Sequence, residues 1–275
     1  MADIAHAAAN DAKPDAEVLY GVAEHIATIT LNRPERMNTI SRAMLDALTA
    51  RLVEADRDPE VRVVILTGTG RAFCAGLDLT EATKGGGIAG GASVATHLDL
   101  RNTPPTVLFD MGKPTICALN GSAAGYGMDT ALGCDIRVMA ASAKMAAAFT
   151  KRGIVPESGG TWFLPRLIGW SKAAELIFTG RTLTAAECLD LGLASQVVAN
   201  DELPAAARAL AREIAANAPL AVQAAKRMMR MGLSEGFNDH VHHVFLQLLP
   251  LLKTKDAAEG MRAFMEKRAA IFTGS

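Results

Sequence analysis

Two turns rich in small residues carry the groups best suited to chemistry. The first is Gly70-Arg71-Ala72-Phe73-Cys74-Ala75-Gly76-Leu77-Asp78, which follows an apolar run. The second closes the run Thr115-Ile116-Cys117-Ala118-Leu119 with Asn120-Gly121-Ser122-Ala123-Ala124-Gly125-Tyr126-Gly127-Met128-Asp129. A strand that runs into small residues and then into a helix leaves backbone N–H groups without partners. Two such donors converging on one oxygen form an oxyanion hole, which stabilises negative charge developing on a carbonyl. Spacing alone leaves a second reading open, that these residues serve only close packing after a strand.

Other chemistries find no support. Gly125-Tyr126-Gly127-Met128-Asp129-Thr130 lacks the third glycine of a dinucleotide fingerprint, no serine sits in a Gly-x-Ser-x-Gly elbow, and there is no Walker A sequence. The histidines of Asp239-His240-Val241-His242-His243 are spaced so that they cannot all face one ion from a helix, and no metal site is expected.

The elements that must hold the turns follow from periodicity. The β-branched stretch 25–31 reads as a strand stopped by Asn32-Arg33-Pro34. Ser41 offers an N-cap to a helix in which Met44, Leu45, Leu48 and Leu52 recur at helical spacing up to Asp56. Buried strands are expected at 61–67, 115–119 and 135–140, so the first half repeats strand–turn–helix units around a covered sheet. From Gly160 onward the pattern is helical, at 162–168, 172–178, 185–191, 202–217, 220–232, 238–253 and 257–271. The glycine-rich stretch 84–91 reads either as a loop able to cover a ligand or as a plain connector.

Composition narrows the class. Of 275 residues half are apolar and 21% charged, and Lys+Arg 28 against Asp+Glu 29 leaves a net charge of -1. This balance lacks the basic excess of a nucleic-acid binder, and so apolar a chain can bury a core. The apolar region 115–149 is broken by Asp129, Asp135, Arg137 and Lys144, so no membrane span is expected. Cys74, Cys117, Cys134 and Cys188 are far apart, which suits a reducing, cytoplasmic setting rather than a disulfide frame. Residues 1–16 lack the pattern of a signal peptide and read as a loose tail. The expected organisation is this tail, an α/β core over 17–200 and a C-terminal helical region over 201–275.

The motifs resemble, in order and over nearly the whole chain, those of the enoyl-CoA hydratase/isomerase, or crotonase, superfamily. The likeness runs through Ile29-Thr30-Leu31-Asn32-Arg33-Pro34-Glu35-Arg36-Met37-Asn38, Val63-Val64-Ile65-Leu66-Thr67-Gly68 and Ala72-Phe73-Cys74-Ala75-Gly76-Leu77-Asp78-Leu79. It continues in the 121–129 turn, Gly133-Cys134-Asp135-Ile136-Arg137, Pro156-Glu157-Ser158-Gly159-Gly160-Thr161, Gly192-Leu193-Ala194 and the terminal Glu259-Gly260-Met261-Arg262-Ala263-Phe264-Met265-Glu266-Lys267-Arg268. The resemblance implies an α/β fold, a crotonase-like spiral of ββα repeats with a C-terminal helical extension. It implies a homotrimer or dimer of trimers that acts on the C=C bond of an enoyl-CoA thioester. Coenzyme A is then part of the substrate, and no separate cofactor is implied.

By the same resemblance the oxyanion donors are the N–H groups of Ala75 and Tyr126, the latter where the family commonly has glycine. The Tyr126 ring then either shapes substrate choice or packs into a subunit contact. The first family glutamate falls on Asp129 and the second on Phe149, which cannot move a proton. A carboxylate returns at Glu157, where some isomerases of the family carry their base. Substrate or CoA contacts are implied at Arg36, Ala72, Cys74, Asp78, Leu79, Gly125 and Phe149, with Phe264 and Lys267 serving a neighbouring subunit's CoA. Asp129 and Glu157 are expected to open onto one acyl pocket. Isomerisation needs one base and hydration is better served by two carboxylates, so Phe149 tips the balance towards isomerase and the retained pair keeps hydratase open. Glu157 also reads as an exposed turn carboxylate, and Asp129 as a helix-interior acid paired with a neighbouring donor. A catalytically weak acyl-CoA binder, or a CoA-ester hydrolase or decarboxylase on the same fold, is the alternative.

Overall fold

The structure, a computed structural model, describes residues 16–78, 80 and 103–275. Leu79, the stretch 84–91 and all of the N-terminal tail but Ala16 lie outside the described residues.

Two sheets organise the chain. The larger takes, in spatial order, β1 (Val18–Ala23), β2 (Ile26–Leu31), β3 (Val63–Gly68), β5 (Thr115–Leu119), β7 (Ile136–Ala140) and β10 (Gln196–Val198). Only the β1–β2 pair is antiparallel; from β2 to β10 the strands run parallel, with Ile65 opposite Ile116 and Ile116 opposite Ile136. Parallel strands covered on both faces need continuous apolar runs, and β5 is buried at every position. The smaller sheet takes β4 (Ala72–Cys74), β6 (Ser122–Ala124), β8 (Lys144–Ala146) and β9 (Thr182–Thr184), the last antiparallel.

The repeat is now explicit. β5 enters the large sheet, β6 the small one, and α3 (Tyr126–Gly133) follows; β7 and β8 repeat the step one place further along each sheet. This is the ββα spiral that the resemblance implies. Gly121 permits it at β6, because a Cβ there would stand 2.1 Å from the Arg71 carbonyl oxygen.

α1 (Arg42–Arg57) begins at Ser41, whose Oγ accepts from the Met44 N–H at 2.9 Å, and it buries Met44, Leu45, Leu48, Leu52 and Ala55. α2 (Pro104–Asp110), α4 (Gly160–Ile168), α5 (Trp170–Thr179) and α6 (Ala185–Asp190) complete the part before the C-terminal helices. Of those, α7 (Leu203–Ala215) lays Leu203, Ala207, Ala211 and Ala215 inward. α8 (Pro219–Met231) pairs Lys226 and Arg230 with Asp135 at 2.7 and 2.8 Å. α9 (Phe237–Leu251) buries none of its residues, and α10 (Lys255–Glu266) ends where Lys267 turns left-handed at φ 53°. That turn explains why the helix expected to reach 271 stops five residues earlier. His240 and His243 both direct Nδ1 to Glu235 at 3.0 Å. The four cysteines are free and buried.

Candidate active site

The two small-residue turns meet. A Cβ on Gly127 would stand 2.3 Å from the Cys74 carbonyl oxygen, and one on Gly76 would stand 3.0 Å from the Ala124 oxygen and 3.8 Å from the Tyr126 nitrogen. Gly76 also has φ +102°, which a side chain would strain. Glycine at both positions therefore lets the end of β4 lie directly against the start of α3.

Backbone partners sort the expected donors. The Ala75 N–H is already engaged, donating to the Met37 carbonyl at 3.0 Å. This corrects the expectation that Ala75 is a free oxyanion donor. Leu77, two residues on, bridges Ile40 in parallel fashion: Ile40 N–H donates to Gly76 and Asp78 N–H donates to Ile40. In that pattern the Leu77 N–H faces away from Ile40, and it meets no acceptor among the described residues. The Tyr126 N–H, at the first position of α3, likewise meets none. Motif reading misses Leu77, because its apolar side chain gives no sign of a free backbone N–H and only the bridge reveals it.

Tyr126 is 4% exposed, and it lines a cavity of about 400 Å³. Other walls are Leu45 of α1, Phe109 and Asp110 of α2, Glu157 and Ser158, and Trp162 and Phe163 of α4. Burial, with the nearby Glu157 charge, pushes the Tyr126 phenol up, so it stays protonated. Asp110 and the ring residues are contributions that motif reading does not find.

The two acids separate. Glu157 lies on the cavity, and partial burial raises its carboxyl above the ordinary glutamate range. Asp129 is wholly buried in α3 and is not among the cavity's walls. The Ser158 N–H donates to its Oδ2 at 3.2 Å, and its Oδ1 lies 2.3 Å from where a Gly160 Cβ would be. The carboxyl thus braces the turn that leads into α4 through the Ser158 N–H. Burial pushes it up to about 7, against the lowering pull of the Gly160 and Ser158 N–H groups and with the Glu157 charge adding to the rise. The expectation that both acids open onto one pocket is corrected: the helix-interior reading describes Asp129.

The remaining expected contacts divide similarly. Ala72 and Cys74 are buried, and burial pushes the Cys74 thiol up to about 12, which leaves it inert. Phe149 is buried, its ring 3.9 Å from the Cβ position of Gly125, behind the turn rather than in the cavity. Gly125 has φ +53° and donates to the Ala146 carbonyl at 3.1 Å. Asp78 accepts from Arg33 at 3.2 Å and Arg36 at 3.1 Å, and hydrogen bonds from Thr80 and Arg36 hold its carboxyl well below the usual range. Arg36 and Asp78 therefore brace the first turn. Phe264 and Lys267 are exposed at the end of α10, apart from this chain's cavity.

Tyr126, whose N–H is unspent, shares one cavity with aromatic walls and a carboxylate raised by burial, and Leu77, whose N–H is also unspent, follows Gly76, whose Cβ position is 3.8 Å from the Tyr126 nitrogen. Comparison with known proteins gives the family. Residues 21–275 match the family model for enoyl-CoA hydratase/isomerase. The chain is 41% identical over 255 residues to the enoyl-CoA hydratase/isomerase family protein YngF of Bacillus subtilis, covering 91% of this chain and 95% of that one. It is 36% identical over 264 residues to the 1,2-epoxyphenylacetyl-CoA isomerase of Escherichia coli, covering 94% and 98%. The crystal structure of enoyl-CoA hydratase from Bacillus anthracis superposes with a TM-score of 0.87 at 35% identity, over 94% of this chain and all of that one. The chain belongs to the enoyl-CoA hydratase/isomerase family.

Proposed function

We propose that the protein moves the C=C bond of an enoyl-CoA thioester, with Glu157 as the single acid–base group and the N–H groups of Leu77 and Tyr126 as oxyanion donors. Glu157 carboxylate removes a proton from C2 of a 3-enoyl thioester. The C–H electron pair becomes a dienolate whose charge rests on the thioester oxygen, and the same carboxyl returns the proton at C4 to leave a 2-enoyl thioester. The observation that carries this reading is the separation of the acids, since Glu157 lies on the cavity and Asp129 is buried beneath α4. One base suffices for isomerisation. Glu157→Gln is expected to lower isomerase turnover by about 10²–10⁴-fold; full activity in this variant would overturn the reading.

Asp110 on the same cavity favours a second reading, hydration of a 2-enoyl thioester with Asp110 and Glu157 sharing one water. Asp110→Asn separates the two, because it spares isomerisation and abolishes hydration.

We further infer assembly as a trimer or dimer of trimers. α9 leaves Phe237, Val241, Phe245 and Leu248 exposed, and α10 leaves Phe264 85% exposed. So many exposed apolar side chains on these two helices support a protein partner.

A further inference from the structure

We propose that the cavity is built for an aromatic acyl group, an inference that rests on the CoA-thioester reading and names the substrate class for it. The chain has only thirteen aromatic residues, two Trp, two Tyr and nine Phe, yet four of them, Phe109, Tyr126, Trp162 and Phe163, wall this one space of about 400 Å³. The core proper is instead aliphatic, made chiefly of Ile, Leu, Val, Met and Ala.

Three of these rings are fixed against one another. Phe109 meets Trp162 edge-to-face at 5.3 Å and 83°, and Trp162 meets Phe163 at 5.1 Å and 87°. Cations stack on two of them: the Arg166 guanidinium lies 4.1 Å from the Trp162 centroid, and Arg230 lies 4.9 Å from that of Phe109. A wall so pre-organised costs little ordering when a ligand enters. A flat ring entering it gains edge-to-face contacts in addition to buried area, whereas a flexible alkyl chain gains area alone and must also be ordered. The cavity lies within the roughly 300–1,000 Å³ of small-ligand sites.

The test is binding of two unreactive saturated thioesters, 3-phenylpropanoyl-CoA and nonanoyl-CoA, which carry equal numbers of acyl carbons. Area alone favours the longer alkyl chain, so preference for the ring reports on the walls. Calorimetry on the full chain is expected to give tighter binding of the phenyl ester by about tenfold. In a Trp170→Phe background Trp162 is the lone tryptophan, and the phenyl ester should shift its emission. Trp162→Leu, or Phe109→Leu should that variant not fold, is expected to narrow the difference to about twofold. Equal affinity for the two esters, or an undiminished preference in the variant, would overturn the aromatic assignment while leaving the CoA-ester reading intact. Binding of neither ester would overturn both.

Discussion

A carboxylate becomes a stronger base as it loses water, and the two acids here lose it to different ends. Glu157 is raised by partial burial while facing the cavity. The acid limb of its kcat/KM profile should therefore lie above the ordinary glutamate range, with activity rising as pH increases and Glu157 ionises; a limb at or below that range would contradict this. Asp129 ionises at about 3.9 when unfolded but near 7 in the native chain. Between those values the native state holds the extra proton, so this group's contribution to stability declines as pH rises from about 4 to 7 and stays low above that. Asp129→Asn cannot ionise and should remove that part of the slope, which thermal unfolding of both proteins between pH 5 and 8 can show. Its isomerase turnover should remain within about tenfold of the parent, since the residue touches no reacting atom. The sequence displays both acids plainly. Which of them meets the cavity depends on where α4 begins, and no local pattern encodes that.

At the scale of elements the site rests on the contact between β4 and α3. Gly127→Ala places a methyl group against the Cys74 carbonyl, with only 2.3 Å available. The expected cost is about 1–3 kcal/mol of stability, measured by denaturant unfolding, together with a fall in kcat larger than the change in KM as the two N–H donors are spread apart. An unchanged kcat would detach the contact from the chemistry. The longer elements were legible because each carries its own signal: Ser41 caps α1, and Met44, Leu45, Leu48 and Leu52 face inward. β4, β6, β8, β9 and β10 have three residues each, too few to show alternation, and they exist as strands only through pairing. β1 escaped notice for a related reason, its run being broken by Gly21 and recognisable only opposite β2.

For the molecule as a whole, the bare face of α9 sets an expectation for assembly. Sedimentation at micromolar concentration should give a trimer or a multiple of three, and a monomer would contradict the interface assigned to that helix. Lys267→Ala should weaken CoA-ester binding more at low salt than at high, as loss of a phosphate contact requires. Long-range convergence is what sequence reading handles least well: Phe109 and Trp162 lie more than fifty positions apart in the chain, and only the packing of α2 on α4 makes them neighbours. The family motifs, by contrast, pointed to the spiral because several lie where a strand runs into a turn, as at 63–68 and 121–129. The central claim is that one carboxylate, Glu157, does the proton work, and product identity tests it most directly. Incubation of the parent enzyme with a 3-enoyl-CoA and, separately, with the 2-enoyl isomer, followed by NMR of the products, should show the two enoyl thioesters interconverting with little 3-hydroxyacyl-CoA. Accumulation of 3-hydroxyacyl-CoA as the main product from the 2-enoyl ester would contradict it.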